Sequence, residues 1–264
     1  MRTLIALSAT ILIAASSLAS ISVTSPSFSY VEDFDSLAST GTSVPWVNDS
    51  TLPGWSLFRQ PAPGTAITAY NAGDGSVNTG SFYSFGATGS NERALGGLAS
   101  GGAYFGSPGT GNVAGWIAVS LVNNSGSTLN SFSITYDGEQ WRDGGNTTAQ
   151  TMVLEWGIGP SFGTVSSWTA PGSSFDFTSP VHTATAAAVD GNTTGKVSGI
   201  GGTINSVTWN NGDTLWIRWI EKNDVGNDHG LAVDNFSFMI PEPSALALVG
   251  LGVAGLVAFR RRNG

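Results

Sequence analysis

The chain has 264 residues, including 36 glycines, nine tryptophans and no cysteine, and its formal net charge is −8. The absence of cysteine excludes disulfides, thiolate zinc sites, iron–sulfur clusters and cysteine nucleophiles. Residues 20–240 carry 6 basic and 17 acidic side chains, too few cations to form the basic face with which a nucleic-acid-binding protein neutralises phosphates. This acidic excess keeps a protein soluble and can attract divalent cations.

The N-terminus has the pattern of an export signal. Met1–Thr3 is short and charged, Leu4–Ala15 is an apolar run of 12 residues, and Ser17–Ala19 has the small-x-small pattern of a cleavage site. The apolar run is too short to span a membrane, so residues 1–19 are predicted to be a secretory signal peptide. Residues 20–240 then form one domain.

Within that domain, apolar residues alternate with polar ones and nowhere keep helical spacing for three turns. Four segments show the alternation most clearly, with apolar faces at 117/119/121, 132/134/136, 152/154/156 and 215/217/219. Glycine- and asparagine-rich turn sequences separate the segments, at 123–126, 137–138, 143–145, 190–192 and 210–213. Such sequences suit tight hairpin turns. Many short strands with turns between them predict an all-β, two-sheet antiparallel β-sandwich of jelly-roll type.

Two further features of the domain concern its loops and its aromatic residues. Residues 61–80 are predicted to form a long loop. The tryptophans are predicted to fill the space between the two sheets. Trp46 and Trp141 are the exceptions, because both stand beside polar turn sequence rather than inside an alternating segment.

The segment 221–235 is the richest polar stretch, and three interpretations of it compete. Leu231 and Val233 are odd-numbered, whereas Phe236 and Phe238 are even-numbered, which predicts a bulge near residues 234–235. If a hairpin returns the chain beside residue 224, four oxygen-bearing side chains could share a Ca²⁺ ion: Asp224, Asn227, Asp228 and Asp234. Their spacing is not that of an EF-hand. Asp228 and His229 could instead be catalytic, or the carboxylates could cap backbone N–H groups in the loop.

A second polar cluster, Glu139, Trp141 and Arg142, is a candidate ligand-binding site. The indole of Trp141 could stack on a sugar, and Glu139 could pair with Arg142. Glycoside hydrolysis needs two carboxylates across the scissile bond, and Glu139 with Glu155 or Asp228 would be such a pair. A buried arginine–carboxylate pair that ties two strands together is the simpler interpretation.

The C-terminus consists of Pro241-Glu242-Pro243, an apolar run at 244–259 and the cluster Arg260-Arg261-Arg262. Arginines that follow an apolar segment remain on the cytoplasmic side of a membrane, although 16 apolar residues fall short of the roughly 20 that span it comfortably. Residues 241–264 resemble the PEP-CTERM sorting signal, with a short transmembrane helix. This resemblance implies an exported protein of a Gram-negative bacterium. An exosortase would process its inner-membrane precursor near the Pro-Glu-Pro, before release to the cell surface or extracellular matrix.

Three blocks within the domain carry a second resemblance: Glu92–Gly96, Tyr136–Arg142 and Asp228–Phe236. They are similar to recurring blocks of an exported bacterial β-sandwich module of the concanavalin-like, jelly-roll style. This resemblance implies a fold and a location but no reaction. We therefore expect a non-enzymatic protein with no catalytic residues. Its expected role is structural or carbohydrate-associating, with exopolysaccharide as the partner. The alternative is a secreted hydrolase of matrix polysaccharide, with Glu139 and the Asp228–His229 loop as its site.

Overall fold

The computed structural model describes residues 20–241, which fold into sixteen β-strands. The first eight are β1 (Ile21–Val23), β2 (Ser29–Glu32), β3 (Val44–Pro45), β4 (Trp55–Arg59), β5 (Thr65–Ala66), β6 (Ala69–Gly73), β7 (Ser81–Phe85) and β8 (Ala94–Leu98). The other eight are β9 (Val113–Asn123), β10 (Leu129–Asp143), β11 (Thr151–Ile158), β12 (Phe177–Thr178), β13 (Ala187–Ala188), β14 (Lys196–Trp209), β15 (Thr214–Lys222) and β16 (Gly230–Met239). Three single-turn 3-10 helices lie between strands, at Ala103–Phe105, Phe162–Thr164 and Ser173–Phe175.

The strands form two sheets that pack face to face around one core. The seven-stranded sheet has the order β12-β11-β15-β9-β4-β5, with β1 beside β9. The nine-stranded sheet has the order β13-β10-β16-β8-β7-β6-β3, with β14 beside β10 and β2 beside β16. Along β9, β10 and β11 the chain crosses from one sheet to the other at each connection, as in a jelly roll. The predicted all-β sandwich is confirmed.

The predicted apolar faces meet in the space between the sheets. Phe132 and Ile134 of β10 and Leu215, Ile217 and Trp219 of β15 are all fully buried. At the centre, the rings of Trp55 and Trp219 stack with their centroids 5.8 Å apart. Two rings from the nine-stranded sheet, Tyr136 and Phe236, meet Trp219 edge-on at 5.4 and 5.6 Å. Aromatic rings from both sheets therefore form the middle of the core.

The structure corrects several details of the sequence prediction. Residues 61–80 are not one long loop, because β5 and β6 lie within them. Asp137-Gly138 is not a turn but part of the long strand β10, at an irregular point of its pairing with β14. Trp46 is not an exception, since it is 2% exposed and lies in the core between the sheets, whereas Trp141, also 2% exposed, is buried in a separate cluster with Phe85. The turns at 123–126 and 210–213 connect strands of different sheets and are therefore not hairpins.

The predicted bulge in β16 is confirmed. Asp234 pairs with Asp137 and Ser237 pairs with Thr135, so β16 has one residue more than β10 across this interval. Asn235 takes up the extra residue in the left-handed region, with φ of 47°, where asparagine is one of the few non-glycine residues that fit readily. Val233 and Phe236 can then both point into the core, while Asp234 faces outward.

One carboxyl group lies on the inward face of β15. Glu221 follows Trp219 on that face and is 4% exposed, and its buried Oε1 has no hydrogen-bond partner in the described part of the chain. Adding a Cβ to Gly97 would place it 2.9 Å from the Glu221 carboxyl carbon, so the glycine makes room for this group. Burial, and then the charges of Asp228 and Asp224, raise the pKa of Glu221 to about 8.

We expect the substitution Trp219→Ala to destabilise the fold by about 3–5 kcal/mol, the usual cost of removing a large buried aromatic side chain. The measurement is urea unfolding of the purified full chain. Val225→Ala, at a residue 76% exposed, is the control and should change stability by less than about 0.5 kcal/mol. A loss below about 1 kcal/mol for Trp219→Ala would contradict the assigned strand face.

We expect stability to fall as the pH rises, because the folded protein retains a proton on Glu221 that the unfolded chain releases. This contribution is fully present below the ordinary glutamate pKa of 4.5 and is lost as the pH passes through about 8. Glu221→Gln should therefore flatten the pH dependence and stabilise the protein above about pH 8. Urea unfolding across a pH series measures the effect, with the exposed Asp33→Asn as control. Parallel curves for Glu221→Gln and wild type would contradict the assignment.

Candidate functional site

The loop between β15 and β16 contains three of the four residues predicted to bind calcium. Asp228 Oδ1 accepts a hydrogen bond of 2.7 Å from the backbone N–H of Asp224, an arrangement that caps the turn. The exposed Asn227 is held through its backbone carbonyl, which accepts hydrogen bonds from the side chains of Asn146 and Gln150. Burial raises the pKa of Asp228 to about 7. These contacts match the capped-loop interpretation.

The fourth predicted residue, Asp234, lies elsewhere. Strands β15 and β16 belong to different sheets, so the chain does not return as a hairpin beside Asp224. Asp234 is instead four residues along β16 from Gly230, a distance of about 13 Å at the rise of an extended strand. The structure therefore does not bring Asp234 together with Asp224, Asn227 and Asp228, and the predicted four-residue calcium site is corrected on this point.

The three candidate ligand-binding residues of β10 have different surroundings. The indole of Trp141 is 2% exposed and lies against Phe85 at 6.3 Å between ring centroids, so it offers no free face to a sugar. Glu139 is fully buried and accepts a hydrogen bond from Trp141 Nε1. Arg142 does not pair with Glu139 but donates to the backbone carbonyls of Gly75 and Ser76. Of the three, Arg142 is the one that lines a surface groove.

The wider set of aromatic residues also lacks an open stacking platform. All nine tryptophans lie within residues 20–241, and each is buried or half-buried. The half-buried Trp168 is covered on one face by the guanidinium of Arg218, 3.8 Å from the ring centroid. Any sugar contact in the described part of the chain would therefore depend on hydrogen bonds rather than on an exposed tryptophan.

Glu139 and Glu155, one of the two carboxylate pairs considered for glycoside hydrolysis, lie on different sheets. Glu155 lies on the seven-stranded sheet and pairs with Arg218, with Oε2 2.5 Å from the guanidinium Nη2. Glu139 belongs to the nine-stranded sheet, so the two sheets stand between them. His229 is also removed from Asp228, because its Nδ1 accepts a hydrogen bond from Gly144 N–H and lies 3.5 Å from Asp143. Burial lowers the pKa of His229 and favours the neutral ring.

A different acidic cluster forms on the outer face of the nine-stranded sheet. One carboxylate oxygen from each of Glu92, Glu139 and Asp234 lies within 4.8 Å of the others. The three residues come from the chain just before β8, from β10 and from β16, which are neighbours in the order β10-β16-β8. The bulge in β16 turns Asp234 to this face. The side chains of Glu139 and Asp234 are 0% and 3% exposed, and Glu92 is half-buried at the rim.

In each carboxylate of this cluster, one oxygen accepts a hydrogen bond and the other does not, as far as residues 20–241 are concerned. The held oxygens accept hydrogen bonds from Asn192 Nδ2 to Glu92 at 2.5 Å, from Trp141 Nε1 to Glu139 at 2.9 Å, and from Asn235 Nδ2 to Asp234 at 2.7 Å. The other oxygens, Glu92 Oε1, Glu139 Oε1 and Asp234 Oδ1, are buried and accept no hydrogen bond from any residue between 20 and 241. Neighbouring side chains thus orient the three carboxylates, while one oxygen of each remains without a hydrogen bond from the described residues.

One ammonium group stands beside the cluster. Lys196 Nζ lies 2.9 Å from Asp137 Oδ2 and 3.6 Å from Glu139 Oε1. Burial, and then repulsion by the neighbouring carboxylates, raise the pKa of Glu139 to about 8. Burial, and then the charge of Glu92, raise the pKa of Asp234 to about 7. The lysine therefore compensates only part of the negative charge gathered here.

The sequence contained an indirect signal for this cluster. Each of the three blocks singled out above contributes one of its carboxylates: Glu92, Glu139 and Asp234. Sequence reasoning placed Glu139 and Asp234 in two separate sites and assigned no role to Glu92, because residues so far apart in the chain are brought together only by the pairing of strands across the sheet.

A polar groove of about 290 Å³ opens beside the loop between β15 and β16. Its polar lining includes Asn78, Ser100, Arg142, Asn223, Asn227 and Asp228. Amide, hydroxyl and guanidinium groups provide both donors and acceptors of hydrogen bonds. The groove therefore joins the predicted Arg142 to two residues of the predicted loop site in one surface feature.

The predicted sorting segment lies almost entirely beyond the described residues. Of Pro241, Glu242 and Pro243, the structure describes Pro241; the predicted membrane helix, the cluster Arg260, Arg261 and Arg262, and the predicted signal peptide at 1–19 lie outside. Within residues 20–241, no helix is long and apolar enough to cross a membrane.

Comparisons with known proteins gave a family match at the C-terminus and a weak likeness to a solved structure. The family model of the PEP-CTERM protein-sorting motif matches residues 240–262. Among solved structures, the CBM22-1 xylan-binding domain of Xyn10C from Paenibacillus barcinonensis is similar to this chain at 10% sequence identity and a TM-score of 0.35, covering 77% of this chain and 98% of that domain. No curated protein sequence matches the chain. The match at 240–262 confirms the predicted sorting motif and indicates an exported protein that is sorted by way of the membrane.

Proposed function

We propose that the chain is the precursor of a cell-surface or extracellular-matrix protein that an exosortase processes at its C-terminus. The match of the PEP-CTERM protein-sorting motif to residues 240–262 carries this proposal. The predicted signal peptide at 1–19 would start export, and Arg260–Arg262 would hold the C-terminal end on the cytoplasmic side of the inner membrane. The precursor is then a transient membrane protein whose sandwich domain faces outward.

The sandwich domain is proposed to associate with exopolysaccharide rather than to catalyse a reaction. The polar groove beside the loop supports this role, because Asn78 and Asn227 are exposed there and Arg142 forms part of its lining. Amides and a guanidinium can donate hydrogen bonds to sugar hydroxyls. The carboxylates considered for hydrolysis do not favour the alternative, since Glu139 is fully buried and Glu155 is paired with Arg218.

Glu242→Ala is expected to leave the precursor in the inner membrane, because the substitution removes the acidic residue of the proposed recognition motif. The measurement is cell fractionation of the native host with the mass of the mature protein. Asp33→Asn, an exposed change inside the sandwich, is the control and should be processed normally. An unchanged mature mass and location for Glu242→Ala would overturn the proposed role of the motif.

The proposed role of the groove can be tested by measuring how the protein binds the host's own exopolysaccharide. We expect the purified full chain to be retained by this polymer without releasing reducing ends. Asn78→Ala with Asn227→Ala should weaken retention about tenfold, since each lost hydrogen bond is worth roughly 0.5–1.5 kcal/mol. Asn130→Ala, an exposed asparagine in a different groove, is the matched control. Release of reducing ends would favour the hydrolase, and equal retention of all variants would move the binding surface elsewhere.

A further inference from the structure

We propose that Glu92, Glu139 and Asp234 form a binding site for a divalent cation, and that calcium is the ion it takes. The site goes beyond the surface role proposed above and does not depend on it. It also differs from the calcium site expected from the sequence, with which it shares only Asp234.

The geometry of the cluster suits one ion. No two of the three carboxylate oxygens are more than 4.8 Å apart, and two Ca²⁺–oxygen bonds of about 2.4 Å span that distance. All three oxygens can therefore contact a single calcium ion with little movement. Calcium takes six to eight oxygen ligands and accepts carboxylates in one- or two-oxygen contacts, so water reaching the half-buried rim at Glu92 would complete the shell.

The buried carboxylate oxygens that lack hydrogen-bond partners within the described residues also favour a bound cation. Asp234 is 3% exposed, and its Oδ1 has no hydrogen-bond partner within the described residues. Glu139 is fully buried, and its Oε1 accepts no hydrogen bond from residues 20–241. Leaving a buried acceptor unsatisfied costs free energy, more so when it is charged. A cation between the carboxylates would satisfy these oxygens.

The outer contacts also resemble the support that metal ligands receive in proteins. Asn192, Trp141 and Asn235 each donate a hydrogen bond to one oxygen of one carboxylate. Such contacts orient ligands and reduce the cost of assembling them around an ion. The donor set consists of oxygens without nitrogen or sulfur, which favours calcium or magnesium over zinc or copper.

The neighbouring Lys196 does not fill the place of the ion. Its ammonium lies nearer to Asp137, at 2.9 Å, than to Glu139, at 3.6 Å. Glu92, Glu139, Asp234 and Asp137 together carry four carboxylates, and Lys196 is the one cation paired with them among residues 20–241. A divalent ion would meet most of the remaining negative charge.

The first test is thermal unfolding of the purified full chain in chelator and in Ca²⁺, at one fixed and mildly alkaline pH, because only deprotonated carboxylates bind metal. At a hundredfold excess of Ca²⁺ over Kd, we expect the melting temperature to rise by about 5–10 °C. Asp234→Asn and Glu92→Gln should each remove the rise. Asp228→Asn, in the loop between β15 and β16, is the matched control and should retain it.

The outcomes of this test distinguish the acidic cluster from the loop between β15 and β16, and calcium from magnesium. An unchanged melting temperature for the wild type in millimolar Ca²⁺ would overturn the proposal, as would a full rise in both Asp234→Asn and Glu92→Gln. Loss of the rise in Asp228→Asn alone would place the ion in the loop and overturn the cluster. An equal rise with Mg²⁺ would overturn the assignment to calcium. If Asp234→Asn does not fold, Glu92→Gln decides, because Glu92 lies at the half-buried rim.

A second measurement reports the position of the ion without depending on stability. Trp141 Nε1 is 2.9 Å from Glu139, so a Tb³⁺ ion in the site would lie close enough to this indole to receive its excitation energy. We expect terbium emission on excitation of tryptophan, displaced by added Ca²⁺ and reduced severalfold in Trp141→Phe. Emission that is unaffected by both Trp141→Phe and Asp234→Asn would place the ion elsewhere and overturn the proposal.

Discussion

The single extra residue in β16 is the constraint on which both the core and the acidic cluster depend. Before it, Val233 points between the sheets, and after it Phe236 does so again, because Asn235 absorbs the extra residue at a positive φ of 47°. Without the bulge, strict alternation would turn either the residues before 234 or those after 235 away from the core. Phe236 would then lose its edge-on contact with Trp219 at 5.6 Å. The same device sends Asp234 to the outer face, where it meets Glu92 and Glu139.

Burying carboxyl groups is the main electrostatic cost of this fold. Hydrogen bonds, protons or nearby cations compensate for this burial, depending on the carboxyl group. Asp143 is held by Thr183 and by Gly145 N–H; burial alone would raise its pKa, but these hydrogen bonds lower it instead. Glu221 has no comparable donors and keeps a proton, with its pKa raised to about 8. The outer cluster lies between these cases, since each of its carboxylates has only one oxygen bonded. Protons, Lys196 and a bound cation are then alternative ways to balance its charge.

Periodicity predicted those parts of the fold that local sequence determines. The alternating faces of β10 and β15 are buried as expected, and the change of parity between Val233 and Phe236 correctly located the bulge. The tight turns were misjudged because a glycine-rich tetrapeptide favours reversal of the chain but does not specify which sheet receives the next strand. The main example is the connection from β15 to β16, which passes from one sheet to the other and so separates Asp234 from Asp224. No local sequence pattern predicts this change of sheet. Trp141 was judged exposed from its polar neighbours, yet Phe85 and the backbone at Gly191, both far away in sequence, cover its ring.

The position of β16 has a mechanical consequence. This strand of ten residues runs through the interior of the nine-stranded sheet, between β10 on one side and β8 and β2 on the other. Ile240, the residue before Pro241-Glu242-Pro243, still donates a hydrogen bond of 2.9 Å from its N–H to the carbonyl of Phe28. The polar groove adjoins the opposite end of the same strand. If the proposed precursor is pulled at the groove while residues beyond 241 still hold it at the membrane, the tension would run lengthwise along β16 and largely through its covalent backbone. The ladders on both sides would be loaded in shear, the direction in which many hydrogen bonds must break together, rather than peeled apart one at a time.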